Sequence, residues 1–275
     1  TWLAASELKA FPGMDELQAL PAGHAMLAGG EPWPYSHPYP PKATIATAPF
    51  DQILQSVRTR LNQAVVKRLM SDVPLGVFLS GGLDSSLIAA MMRPHTQELL
   101  SFSAGMEGAP DLEAARTVAE YLGTQHYELV YTERDIERHL PDIIYYLESF
   151  DAPLVRSAIP MYFLSELAAQ HVKVVLTGEG ADELFAGYQY LKAIEDQAAL
   201  HHELSQIVIR LQDTNLQRAD RVTMKHGLEA RVPFLDYDLV RFVTRLPAEL
   251  KGAAAAKQEK WLLRQACEDL LPAQI

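Results

Sequence analysis

From Asp51 onward the apolar positions Ile53, Leu54, Val57, Leu61, Val65, Val66 and Leu69 recur at helical spacing and lead into Pro74-Leu75-Gly76-Val77-Phe78-Leu79. That run is short, apolar and β-capable, so it predicts a buried strand. After a glycine pair, Leu87, Ile88 and Ala89-Ala90-Met91-Met92 predict a helix starting at Ser85 or Ser86, either of which can cap it. Leu99 to Ala104 alternates as a strand, Leu112 to Leu122 is helical with Gly123 as its C-cap, and His126 to Tyr131 alternates again. Asp135 to about Phe150 predicts a helix that Pro141 should bend or divide. Ser157 to Gln170 predicts another, and Val172 to Leu176 a further strand. Strands alternating with helices imply an α/β fold, a parallel sheet wound on both sides with ligands at the carboxyl ends of its strands. Beyond Tyr188 the strands give out, and Leu191, Ile194, Leu200, Leu204, Ile207, Val208 and Leu211 predict a largely helical layer over the sheet's edge.

The first strand end carries Leu79, Ser80, Gly81, Gly82, Leu83, Asp84, Ser85 and Ser86. Two glycines between strand and helix allow close backbone approach, and the first helical N–H groups point into the loop, which makes a phosphate site. The loop has neither a Gly-Lys-Ser/Thr sequence nor Gly-x-Gly-x-x-Gly, and carries Asp84 instead. A carboxylate beside a polyphosphate needs a divalent cation between them, so Asp84 points to Mg²⁺. The unit resembles the pyrophosphate-binding loop of ATP pyrophosphatases, which cleave ATP between the α and β phosphates and adenylate an acceptor.

The second strand end is Thr177-Gly178-Glu179-Gly180-Ala181-Asp182-Glu183-Leu184-Phe185-Ala186-Gly187-Tyr188. Alone, its acidic residues could serve only as the first turn of a helix, where negative charge is tolerated. Paired with the first loop, Asp84 and Asp182 would form a Mg²⁺ clamp from adjacent strand ends. Farther on, Glu229 with Arg231 predicts a structural ion pair, while Lys257, Lys260 and Arg264 share a predicted helix with Trp261, Leu262 and Leu263, some cations facing away from the core.

Before Asp51, Trp2 to Lys9 and Leu20 to Leu27 are short elements without enough apolar surface for a core. They are followed by an extended connector with Pro32, Pro34, Pro38, Pro40, Pro41 and Pro49 among Trp33, Tyr35 and Tyr39. Of 275 residues, 48% are hydrophobic, enough for one sizeable domain and part of another. The formal charge of −11 opposes binding to a nucleic-acid backbone and favours small substrates. No run approaches a membrane span, no signal peptide is evident, and Cys267 alone makes no internal disulfide, so a cytoplasmic setting is expected, with Cys267 a packed, inert thiol. The histidines show no metal-ligand spacing.

Asp72 to Ser86, Thr177 to Phe185 and Gly227-Leu228-Glu229-Ala230-Arg231-Val232-Pro233-Phe234-Leu235-Asp236, in that order, resemble the glutamine-dependent asparagine synthetases. The resemblance spans about Asp51 to Ile275. It implies ATP with adenine against backbone near Leu79 and Ala104, phosphates on Ser80 to Ser86 and on Thr177-Gly178, Mg²⁺ at Asp84 and Asp182, and Lys260 on the transferring phosphates. Residues 1–40 would be the end of an N-terminal-nucleophile glutaminase domain and a linker, with Ser6 to Ala10 and Leu20 to His24 as its last strands, and 41–275 the synthetase domain. The glutaminase's catalytic cysteine must be the first residue, and Thr1 stands there, so only the tail of that domain is expected. The Ala253 to Ala256 stretch lacks distinctive substrate contacts.

The expected reaction is adenylation of the aspartate side chain to β-aspartyl-AMP with release of pyrophosphate, then attack by ammonia, or by nitrogen from glutamine in the full-length family. Glu179 is the candidate to take a proton from the attacking nitrogen, and Arg218 the candidate to guide a carboxylate or phosphate. A homodimer is what the family suggests. Rival readings are a β-lactam or macrolactam synthetase acting on another carboxylate, a tRNA-thiolating relative, and a non-catalytic nucleotide-binding partner.

Overall fold

A computed structural model describes residues 3–14, 16–35, 40, 48–251 and 258–272. Thr1, Trp2, Pro38, Tyr39, Pro41, Ala253 to Ala256, Lys257 and Ile275, named above, lie outside the described residues.

Near the amino end, β1 (His24–Ala25) pairs antiparallel with β2 (Trp33–Pro34). The main sheet consists of β3 (Leu75–Phe78), β4 (Leu100–Met106), β5 (Gln125–Tyr131), β6 (Val174–Leu176) and β7 (Glu229–Arg231). Its order is β5-β4-β3-β6-β7, and every pairing is parallel. β3 is central, with Val77 opposite Ser101 on β4 and Leu176 on β6. The two loops therefore leave neighbouring strands at the same edge of the sheet.

The helices are α1 (Phe50–Lys67), α2 (Leu83–Met92), α3 (Pro110–Leu122), α4 (Glu133–Leu147), α5 (Ala152–Ala168), α6 (Ala181–Phe185), α7 (Gln197–Arg210), α8 (Asn215–Lys225), α9 (Tyr237–Val243), α10 (Ala248–Lys251) and α11 (Trp261–Ala266). Alternate strand residues separate the two cores, as the pleat requires. Val77, Leu79 and Leu176 pack with α1, α2, α3, α9 and α11, whereas Phe78, Phe102 and Val175 face α5. The doubly wound α/β sheet expected from the pattern is the one observed.

Local chemistry moves several boundaries. α4 starts at Glu133 because Thr132 and Asp135 form a reciprocal capping box, and it runs unbroken through Pro141. Its buried Ile143 and Leu147 pack against Leu154 and Ala158 of α5, which holds the helix across the missing N–H. α5 starts at Ala152 rather than Ser157 because the Asp151 side chain accepts from Leu154 N at 2.9 Å. α2 starts at Leu83, capped by extended Gly82, so neither serine is its cap.

The carboxyl-terminal part does not lose its strands: β7 forms one edge of the sheet, and Thr177 N donates to Arg231 O at 2.9 Å. Its charges are structural, as the Glu229–Arg231 pair predicted. Arg231 Nε meets Glu229 at 2.8 Å, and Nη1 donates to the carbonyls of Arg68 and Met70, each at 2.7 Å. Asp236 caps α9 and accepts from Arg68 at 2.9 Å.

Ser6 to Ala10 is not a strand; Leu8–Ala10 is a single 3₁₀ turn. The segment is held through Glu148, which accepts from the backbone N–H of Leu8 at 2.8 Å and of Lys9 at 2.6 Å, and pairs with Arg221. Among the described residues no helix is long and apolar enough to cross a membrane.

Candidate active site

The first loop is braced by its own hydroxyls. Ser85 Oγ accepts from Ser80 N at 3.1 Å and lies 3.0 Å from Ser80 Oγ, which accepts from Gly82 N at 3.3 Å. Gly81 has φ +75°, and a Cβ there would lie 2.4 Å from the backbone of Ala114, so only glycine lets α3 approach the loop. Asp84, in the first turn of α2, projects toward the second strand end. There, a Cβ on Gly178 would lie 2.9 Å from that of Asp84, so the two loops touch.

In the second loop Thr177 Oγ1 accepts from Glu179 N at 3.1 Å, and Gly180 starts α6. After α6 the chain turns back through Ala186, whose φ is +55°, and Gly187, whose N–H donates to Asp182 O at 2.9 Å. Lys260 caps α11 with φ +53° and is not a surface residue of that helix. Its Nζ bonds to Asp84 Oδ2 and lies 2.8 Å from Asp182 Oδ1.

Burial pushes the Asp84 carboxyl up to about 6, against the pull of Lys260 and with reinforcement from Asp182. Burial works against the Lys260 ammonium, but the two carboxylates hold its pKa above the ordinary lysine value. Glu179 is raised by burial although Arg218 pairs with it. Asp84 Oδ1 is buried without a hydrogen-bond partner, an arrangement that fits a cation. Among the described residues no three His, Cys, Asp or Glu side chains form a metal cluster, so the protein would supply only part of the coordination.

A cavity of about 1050 Å³ opens at these strand ends. Leu79, Ser80, Asp84, Ser85, Ala104, Thr177, Gly178, Glu179, Asp182 and Arg218 all line it. Gly81, Gly82 and Ser86 do not: Gly81 packs on α3, Gly82 is exposed on the loop, and Ser86 is fully buried. Lys260 is outside the lining too and reaches the site through its two carboxylate partners.

Other lining residues escape sequence reading. Glu183, 1% exposed, accepts from Tyr188 OH at 2.6 Å and from Asn215 Nδ2 at 2.8 Å. A carboxylate among Ala181, Leu184 and Phe185 on a short helix was the available signal for Glu183; Asn215 on α8 offered none. Ser103 is held by His126 Nε2 at 3.0 Å, while Ser101 Oγ lies 2.8 Å from the other ring nitrogen. Burial lowers the pKa of that imidazole.

A parallel sheet whose two glycine-bearing loops meet at adjacent strand ends defines an α/β protein with its site at the carboxyl ends of neighbouring strands. A family model described as asparagine synthase matches residues 56–199 and 189–275. The chain belongs to the asparagine synthase family. It is 38% identical to a glutamine-hydrolysing asparagine synthetase from Triphysaria versicolor over 98% of this chain and 48% of that protein. An Arabidopsis thaliana asparagine synthetase matches with the same identity and coverage, and one from Asparagus officinalis is 40% identical over 82% of this chain and 40% of its own length. The chain thus spans about half the length of these relatives. Among solved structures, an NH3-dependent NAD synthetase from Campylobacter jejuni aligns over 72% of this chain and 92% of its own, with a TM-score of 0.34 and 18% identity.

Proposed function

We propose that this chain carries out ATP-dependent amidation of aspartate to asparagine through β-aspartyl-AMP, releasing AMP and pyrophosphate. The observation that carries the reading is Lys260 bridging Asp84 and Asp182 where the two loops meet, in a chain of the asparagine synthase family. Carboxylates do not react with ammonia because oxide is a poor leaving group, so activation must come first.

In this reading the polyphosphate lies against Ser80 and Ser85 and the Thr177-Gly178 turn, with the base toward Leu79 and Ala104. Lys260 supplies a fixed positive charge as negative charge moves onto the departing pyrophosphate. Mg²⁺ would enter with ATP and be held by Asp84, with its unpartnered Oδ1, and by Asp182; when bound it neutralises phosphate charge. Arg218 keeps Glu179 oriented at the cavity wall. A carboxylate whose proton affinity is raised by burial suits removal of a proton from the attacking ammonia. Residues 1–40 are, in the same reading, the end of a glutaminase domain and its linker, and 41–275 the synthetase domain, in a cytoplasmic homodimer.

The test is pyrophosphate release from Mg-ATP with aspartate, comparing ammonium, glutamine and no nitrogen donor, with the amino-acid product identified. Asparagine formed with ammonium supports the reading. Release driven by another carboxylate, or no aspartate-dependent release, overturns it in favour of a lactam-forming synthetase or a non-catalytic nucleotide binder.

A further inference from the structure

A second cavity, of about 590 Å³, lies between α1 and α9 and shares no residue with the strand-end site. Its walls bring together Arg60, Arg241 and Arg245, with Thr59 and Gln63 beside them. Arg241 lies on α9 and Arg245 just beyond its carboxyl end, so two like charges sit on one short stretch of chain.

Compensation is missing here. Among the described residues, the guanidinium groups of Arg241 and Arg245 make no hydrogen bond or ion pair. Arg60 donates only a long bond, 3.4 Å, to Ser56 O and lies over the Phe242 ring at 4.4 Å. The one acid in the lining, Asp238, is engaged by Lys67 Nζ at 3.0 Å. In a chain of net charge −11, three guanidinium groups without a carboxylate partner converge on one concavity of ligand size.

We propose that this groove is an anion site for a small, multiply charged phosphate ligand, pyrophosphate or the phosphate tail of a nucleotide. Planar guanidinium forks match phosphate oxygens in pairs, and the stack on Phe242 holds Arg60 in place for such a contact. Thr59 and Gln63 add neutral donors. A ligand with a single negative charge would leave most of the guanidinium charge unmatched.

The test is calorimetric titration of the whole chain with inorganic pyrophosphate, ATP and AMP, for the unaltered protein and for Arg241→Ala with Arg245→Ala. The expected result is a pyrophosphate site present in the unaltered chain and weakened roughly tenfold or more in the double variant, about the scale of one lost charge-assisted contact. Arg241→Lys with Arg245→Lys keeps the charge and surface, and should bind several-fold more weakly than arginine. It serves as the test should the alanine pair fail to fold. Pyrophosphate and ATP binding through the groove while AMP does not would identify the polyphosphate as the element bound. Identical isotherms for unaltered protein and both double variants would overturn the site. Lys260→Ala separates this inference from the reading above: it should remove strand-end binding and leave the groove isotherm in place.

Discussion

The Nζ of Lys260 stands between Asp84 and Asp182, 2.8 Å from the latter, although 176 residues separate Lys260 from Asp84 along the chain. One ammonium thus offsets two carboxylates that would otherwise repel each other. Lys260→Ala should lower the rate of aspartate-dependent pyrophosphate release by roughly 10²–10³, the scale of removing one preorganised charge donor. An unchanged rate would take Lys260 out of the chemistry.

Asp84 gives a pH signature. Its folded-state pKa, about 6, lies above the ordinary carboxylate value, so the folded protein holds this proton more tightly than the unfolded chain. Its contribution to stability is therefore present below about pH 4 and is lost as pH rises through about 6. In paired melting curves, Asp84→Asn should gain on the unaltered protein across that window. A difference independent of pH would mean that Asp84 titrates normally.

Glu179 and Arg218 face each other at the cavity wall, each largely shielded from solvent. Glu179→Gln keeps the shape and removes the base. It should depress asparagine formation by about 10²-fold or more, in the range of general-base catalysis, while ATP binding is retained. Weakened ATP binding with normal turnover of bound ATP would assign Glu179 to the nucleotide instead.

Gly187 has no space for a side chain: an added Cβ would fall 1.9 Å from Asp182 Oδ1 and 2.1 Å from Lys260 Cε. Gly187→Ala should destabilise by about 1–3 kcal/mol, as overpacking does, and impair ATP binding by displacing both groups. Thermal melting and ATP titration of the same sample check both effects.

Cys267 is 2% exposed, and burial pushes its thiol up to about 12, with Asp269 reinforcing the shift and Arg58 opposing it. Because the thiolate is the reactive form, a water-soluble thiol reagent should leave the native protein unlabelled at pH 8 and modify one thiol per chain after denaturation. Rapid labelling of the native protein would show that this side of the core opens.

Much of this molecule is local, and local order is what a sequence displays. Leu75 to Phe78 is apolar because both faces of the central strand are covered, and the stripe of α1 repeats because one face of that helix is covered. The glycines and acids of the loops were likewise visible, since only a few residue types permit a backbone to approach a ligand closely. Caps such as Asp151 and the Thr132–Asp135 box were present in the letters but moved the helix starts only once their side-chain geometry was known.

What only the tertiary structure decided are relationships across distance. β7 joins the sheet because Val174 to Leu176 leaves an edge to be paired, although Glu229-Ala230-Arg231 has little strand character of its own. Asn215 reaches Glu183 because α8 lies along the cavity, and Arg241 and Arg60 line one groove because α9 packs beside α1. By spacing alone Lys260 is one cation among several near the end of the chain, and only the family resemblance singles it out. Its left-handed backbone and the turn at Gly187 place it between two carboxylates. The sequence determines which chemical groups are available and which segments are covered. Packing determines which of those groups meet, because the energy of a charge depends on neighbours that the chain order does not place beside it.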